Sequence, residues 1–85
     1  MPVISRFLGI EIRMYYADHS PPHFHAEYGE YEISVEILTY IVTGRFPPRA
    51  LKSVLEWASL HQEELIRNWQ LAERNEALSN IEPLE

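Results

Sequence analysis

The sequence predicts an α+β protein: an antiparallel sheet of four to five strands, covered on one face by one kinked or two consecutive C-terminal helices. Three observations carry this. Up to Phe46-Pro47-Pro48, β-branched and aromatic residues alternate with polar ones, as in half-exposed strands. After that point the apolar residues recur at helical spacing. Finally, 85 residues provide one sheet and one helical layer and no more, which excludes a two-domain enzyme.

The elements follow in order. A short strand over Val3 to Phe7 turns at Gly9, where glycine accepts the backbone angles of a tight reversal. In the stretch from Ile10 to Tyr16, Ile10, Ile12, Met14 and Tyr16 share one face, and Glu11, Arg13 and Tyr15 share the other. Ala17 to Pro22 reads as a loop, because Asp18 and Ser20 favour turns and two prolines cannot donate to a ladder. His23 to Tyr28 and Tyr31 to Ile37 form a hairpin around Gly29-Glu30, a two-residue loop with glycine first, as a type II′ turn requires. Counting from that turn sets Tyr28 against Tyr31, Ala26 against Ile33 and Phe24 against Val35 on the core side, with His23 against Glu36, His25 against Ser34 and Glu27 against Glu32 on the open side. A fifth strand is expected over Ile41 to Arg45, although Leu38-Thr39-Tyr40 is a poor turn sequence.

Pro48 suits the first turn of a helix. Leu51, Val54, Leu55 and Ala58 make an apolar stripe that Leu65, Ile66, Trp69 and Ala72 continue after a polar gap at His61-Gln62. Ser59 and Gln62 match a capping box, so a kink or break is expected near Ser59 to His61. Trp57 and Trp69 lie along the stripe as core or interface residues, while Arg49, Lys52, Arg67 and Arg74 lie among glutamates on a solvated face. Residues 1–76 therefore read as one domain. Residues 77–85 have no periodicity and read as a tail, frayed or used as an arm.

Composition narrows the function. There is no cysteine, so disulfides, thiolate metal sites and a cysteine nucleophile are excluded. Thirteen acidic against seven basic side chains give a formal charge of −6, which opposes a broad nucleic-acid footprint or attraction to anionic membranes. No apolar run of membrane-spanning length and no signal-peptide pattern is present, so a cytoplasmic location without membrane contact is expected. Phosphate-cradling glycine loops, G-x-S-x-G and H-E-x-x-H are likewise missing.

Three of the four histidines fall within seven residues. On the predicted register His23, His25 and Glu27 project together from the open face, between Glu11, Arg13 and Tyr15 on one side and Glu32, Ser34 and Glu36 on the other. Histidines at i and i+2 on a strand stand about 6–7 Å apart and can share a zinc ion with a carboxylate such as Glu36, with His19 as a third nitrogen. The spacing permits a metal without requiring one. Metal-free acid–base cleavage of a phosphodiester is also open: His23 or His25 moves the proton, Arg13 clamps the phosphate, and Tyr15 or Tyr28 donates a hydrogen bond. Glu27, Glu32 and Glu36 oppose this, since they repel an anion and are expected to raise the histidine pKa values. In a purely structural reading, Asp18 and His19 bond loop backbone groups, the prolines stiffen the loop, and the histidines occupy a hydrated face.

The segments MPVISRFLGIEIRMYY, DHSPPHFHAEYGEYE and PPRALKSVLEWASLHQEELIRNW together resemble the bacterial family called domain of unknown function 4160, over about residues 1–72. The sequence departs from it at Leu38 to Ile41, where the family usually has a glycine-containing turn. The matching motif positions are Asp18, His19, Pro21, Pro22, His23, Phe24, His25 and Tyr28. The resemblance implies a small protein often encoded beside a domain of unknown function 2442 protein, as in a toxin–antitoxin module. The expectation is thus a toxin-like protein with a small antitoxin-like partner, acting on RNA or the ribosome without metal or other cofactor. Its candidate catalytic residues are His19, His23, His25, Arg13, Asp18 and Tyr28. The rival expectation is a non-catalytic interaction module or a metal-binding domain, in which sheet edges, Trp57 or Trp69 dock a partner or a second copy.

Overall fold

The computed structural model describes residues 2–85. Five strands, β1 (Val3–Phe7), β2 (Ile10–Arg13), β3 (His23–Tyr28), β4 (Tyr31–Glu36) and β5 (Val42–Arg45), precede helices α1 (Pro48–Leu60) and α2 (Gln62–Glu73). The sheet is an antiparallel meander in the order β1-β2-β3-β4-β5, so each strand pairs with its neighbour in sequence. All six pairs of the β3–β4 hairpin fall in the predicted register, from His23 opposite Glu36 to Tyr28 opposite Tyr31, although those two tyrosines stand exposed beside the turn rather than in the core. Gly29 has φ of 59° and Glu30 is not in the positive-φ region, the pattern of a type II′ turn.

One face of the sheet is apolar. Phe7, Ile10, Ile12, Phe24, Ala26, Ile33 and Val35 are buried there, with Val54, Trp57 and Ala58 of α1 and Leu65, Trp69 and Ala72 of α2 completing the core. Trp57 is its centre, with ring centroids 5.5 Å from Phe7 and 5.7 Å from Phe24. Both tryptophans are core residues, so neither offers a docking surface.

Several expectations are corrected. β2 ends at Arg13 rather than Tyr16: Met14 stays in the core, but the chain then leaves the sheet, and Ala17 N–H reaches the Ala72 carbonyl of α2 at 3.4 Å. Tyr16 is consequently exposed instead of facing the core. The β4–β5 turn closes without glycine because Tyr40 itself takes φ of 63° and donates its N–H to the Glu36 carbonyl. The Thr39 hydroxyl donates to Glu36 Oε1 and accepts from Ile41 N–H. Gly44, by contrast, is demanded by β4, since a Cβ there would stand 2.6 Å from the Glu32 carbonyl oxygen.

The helices are two, separated at His61, and the Ser59–Gln62 capping box does not form. Ser59 Oγ donates instead to the Glu56 carbonyl, and the Gln62 amide donates to the Ile37 carbonyl, tying α2 to the end of β4. Residues 78–85 have no regular structure yet pack as an arm. Ile81 is buried and bonds the β1 carbonyl of Ile4, Ser79 pairs with the Asn68 amide at both ends, and the Trp57 indole donates to the Glu82 carbonyl. The arm therefore covers the β1 edge.

Candidate functional site

The loop over residues 14–22 folds back across the start of β3 and sets Asp18 over the first residues of that strand. Asp18 Oδ1 accepts the His19 backbone N–H at 2.8 Å, a local bond that a short polar side chain makes readily in a turn. That bond aims Oδ2 at the strand, where it stands 3.0 Å from His23 Nε2 and 3.7 Å from His25 Nε2. The three donor atoms of Asp18, His23 and His25 lie within 4.8 Å of one another. Strand alternation makes this convergence, because residues two apart on β3 face the same side.

The two imidazoles are held differently. His23 is almost fully enclosed, with its ring 5.3 Å from His19, 5.1 Å from His25 and 5.2 Å from Trp69. Its Nδ1–H donates to the Pro21 carbonyl at 2.8 Å. His25 meets the edge of Tyr15 at 4.6 Å, and its Nδ1 faces Glu32 Oε2 at 3.6 Å. Its Nε2 is buried and has no hydrogen-bond partner among the described residues. The sequence places both histidines on an open face; the register is right, but the folded-back loop and Trp69 close over His23 and half-bury His25.

Burial also reverses the expected titration. Loss of hydration, ahead of repulsion from His23, holds the His25 imidazole below its usual 6.5 despite Asp18 and Glu32 nearby. For Asp18, burial pushes upward, but the His19 N–H bond and the surrounding imidazoles outweigh it and hold the carboxyl below its usual value. The cluster is thus an ionised carboxylate beside a neutral imidazole.

The remaining candidates divide. His19 is the exposed member, its ring stacked on His23 and its Nε2 3.7 Å from Asp18 Oδ1. Arg13 is opposite His25 in the ladder, but its guanidinium is engaged by Glu11 at 2.8 Å and Glu27 at 3.4 Å, so two carboxylates hold the intended phosphate clamp. Tyr28 is not brought to the cluster. It ends β3 at the far side of the sheet, about 16 Å along the strand from His23, and packs on Gly9 and Phe46. Glu36, the carboxylate proposed to join a metal, binds Thr39 instead, and Asp18 takes that place. Trp69 is the wall that the sequence conceals, because its helical spacing marks it only as core.

Residues 9–70 match the family model of domain of unknown function 4160. The chain belongs to that family. The match spans every residue of the Asp18–His23–His25 cluster and Trp69 beside it. No curated protein and no solved structure matches this domain of unknown function 4160 chain.

Proposed function

We propose that this protein is the toxin-like half of a two-protein module and cleaves RNA at the Asp18–His23–His25 cluster. The observation that carries this reading is the convergence of two imidazole Nε2 atoms on one aspartate oxygen beside an exposed third histidine. In the simplest chemistry, neutral His25 takes the proton of a ribose 2′-hydroxyl as that oxygen attacks the adjacent phosphorus. His19 delivers a proton to the departing 5′-oxygen, leaving a cyclic phosphate. Asp18 orients the imidazoles. The acidic surround of Glu27, Glu32 and Glu36 makes a free RNA a poor ligand, so a ribosome or partner contributing positive surface fits better.

The partner side of the reading is supported by the sheet edges. The arm covers β1, whereas β5 has β4 on one side and no described backbone partner on the other. Beside it runs a groove lined by Tyr31, Val42, Phe46, Pro47, Pro48 and Leu51, suited to an added strand from an antitoxin-like protein. No helix among the described residues is long and apolar enough to cross a membrane.

Expression of the chain alone is expected to arrest bacterial growth with accumulation of cleaved RNA. Co-expression of a domain of unknown function 2442 protein is expected to relieve it. Arrest that persists unchanged in folded His25→Gln and Asp18→Asn variants removes the cluster from the mechanism, and absence of arrest removes the toxin reading.

A further inference from the structure

We propose that Asp18 Oδ2, His23 Nε2 and His25 Nε2 form a three-ligand site for a divalent transition metal, with zinc(II) the ion to test. The site rests on the RNA-cleavage reading for the substrate alone and replaces the proton-accepting role given to His25 there, since a ligating Nε2 cannot also take a proton; binding of the ion stands or falls independently.

The first argument is distance. Tetrahedral ligands about 2.0–2.2 Å from zinc are about 3.3–3.6 Å from each other. Asp18 Oδ2 stands 3.0 Å and 3.7 Å from the two imidazole nitrogens, bracketing that value, and the whole set spans less than 4.8 Å.

The second argument is hydrogen-bond accounting. A carbonyl can only accept, so the 2.8 Å contact to Pro21 fixes the proton of His23 on Nδ1. In the neutral ring Nε2 is then a lone pair facing a carboxylate oxygen at 3.0 Å. Two acceptors this close need a cation between them. A proton on Nε2 satisfies that pair, but it leaves His25 Nε2 buried without a partner. One metal ion satisfies all three atoms together.

The outer contacts fit as well. Ligating histidines usually give their other ring nitrogen to a carbonyl or carboxylate, which fixes tautomer and direction. Here His23 gives Nδ1 to the Pro21 carbonyl, and His25 turns Nδ1 toward Glu32 Oε2 at 3.6 Å. Two imidazoles and a carboxylate, with no thiolate, suit a borderline divalent ion, and three protein ligands leave a position for water or substrate. The ion also answers the electrostatic objection. Arg13 is engaged by Glu11 and Glu27, so the cluster otherwise presents an anionic substrate with Asp18 and Glu32. Two positive charges at this point give a phosphodiester oxygen something to bind.

The test uses the full chain without an affinity histidine tag. After incubation with zinc sulfate and gel filtration, elemental analysis is expected to find about one equivalent of zinc, and calorimetry a single site. His25→Ala, His25→Gln and Asp18→Asn are each expected to weaken zinc binding by more than about tenfold, while His61→Ala, which removes contacts to Glu64 and the Trp57 ring and none to the three ligands, is expected to leave it unchanged. Circular dichroism establishes that each variant is folded, and the glutamine and asparagine variants keep the side-chain volume if alanine does not. Less than about a tenth of an equivalent in the wild type overturns the site, as does undiminished binding by folded His25→Gln and Asp18→Asn. Zinc binding at this site without RNA cleavage sustains the metal proposal and removes the ribonuclease; RNA cleavage by protein that binds no zinc does the reverse.

Discussion

Asn68 in α2 and His25 in β3 are both polar side chains enclosed beside the same core, yet they are completed in different ways. The Asn68 amide donates to the Ser79 carbonyl at 2.8 Å and accepts the Ser79 N–H at 2.9 Å, so its donor and acceptor groups both meet the arm. His25 Nε2 is buried without a hydrogen-bond partner among the described residues, and Asp18 Oδ2 stands 3.7 Å away. A polar group whose partners come from the same chain contributes to stability by being satisfied. One left open contributes nothing in that way, and the loop that half-buries it points to a ligand from outside. The contrast separates a structural polar contact from a prepared one within a single small domain.

Removing the arm is the strongest way to press the structural side. Deletion of residues 78–85 exposes Ile4 and Trp57, takes Ile81 out of the core and orphans Asn68. The expected loss is about 3–5 kcal/mol in denaturant unfolding. A loss below about 1 kcal/mol would mean that the arm lies on the domain without belonging to it. Next in size, Asn68→Ala keeps the arm but leaves Ser79 N–H and carbonyl without their partner, and should cost about 1–3 kcal/mol.

The prepared side predicts the opposite response to the same kind of change. His25→Phe keeps a planar ring against Tyr15 and removes the unpaired nitrogen, so stability should change by less than about 1 kcal/mol, or rise. Growth arrest and zinc binding should both be lost. A destabilisation matching that of Asn68→Ala would break the comparison, because it would show that the His25 imidazole already has its partner in the folded chain.

How much of this was legible in the sequence depended on range. The β3–β4 register followed from one two-residue turn and strict alternation, and all six pairs are as counted. The shared face of His23 and His25 followed from the same counting. Their burial did not, since it comes from Asp18 and Trp69, which local patterning marks only as a turn residue and a core residue. The capping box at Ser59 failed for a related reason: Gln62 bonds the Ile37 carbonyl, a contact 25 residues away in sequence that no local motif anticipates. Arg13 shares its face with Glu11, two residues away on the same strand, and that i,i+2 spacing already marks the carboxylate that engages it in place of a phosphate.

The smallest expected effect is at the exposed end of this polar series, where water can replace any lost partner. Glu11 accepts from Arg6 at 3.0 Å and from Arg13 at 2.8 Å. The Arg6 hydrogen bond, followed by that of Arg13, holds its carboxyl below the usual 4.5. A carboxyl whose folded pKa is depressed adds stability above its unfolded pKa and loses it as pH falls through the folded value. Arg6→Ala should therefore raise the Glu11 midpoint toward 4.5, as followed by carboxyl NMR titration. It should also slightly lower stability near neutral pH and leave stability unchanged in acid, where Glu11 is protonated in both states. Because the pair is exposed, the effect should shrink further in high salt. An unchanged Glu11 midpoint would show that Arg13 alone holds the carboxylate, which would bind that guanidinium more firmly to its own strand and leave the histidine cluster more dependent on an external cation.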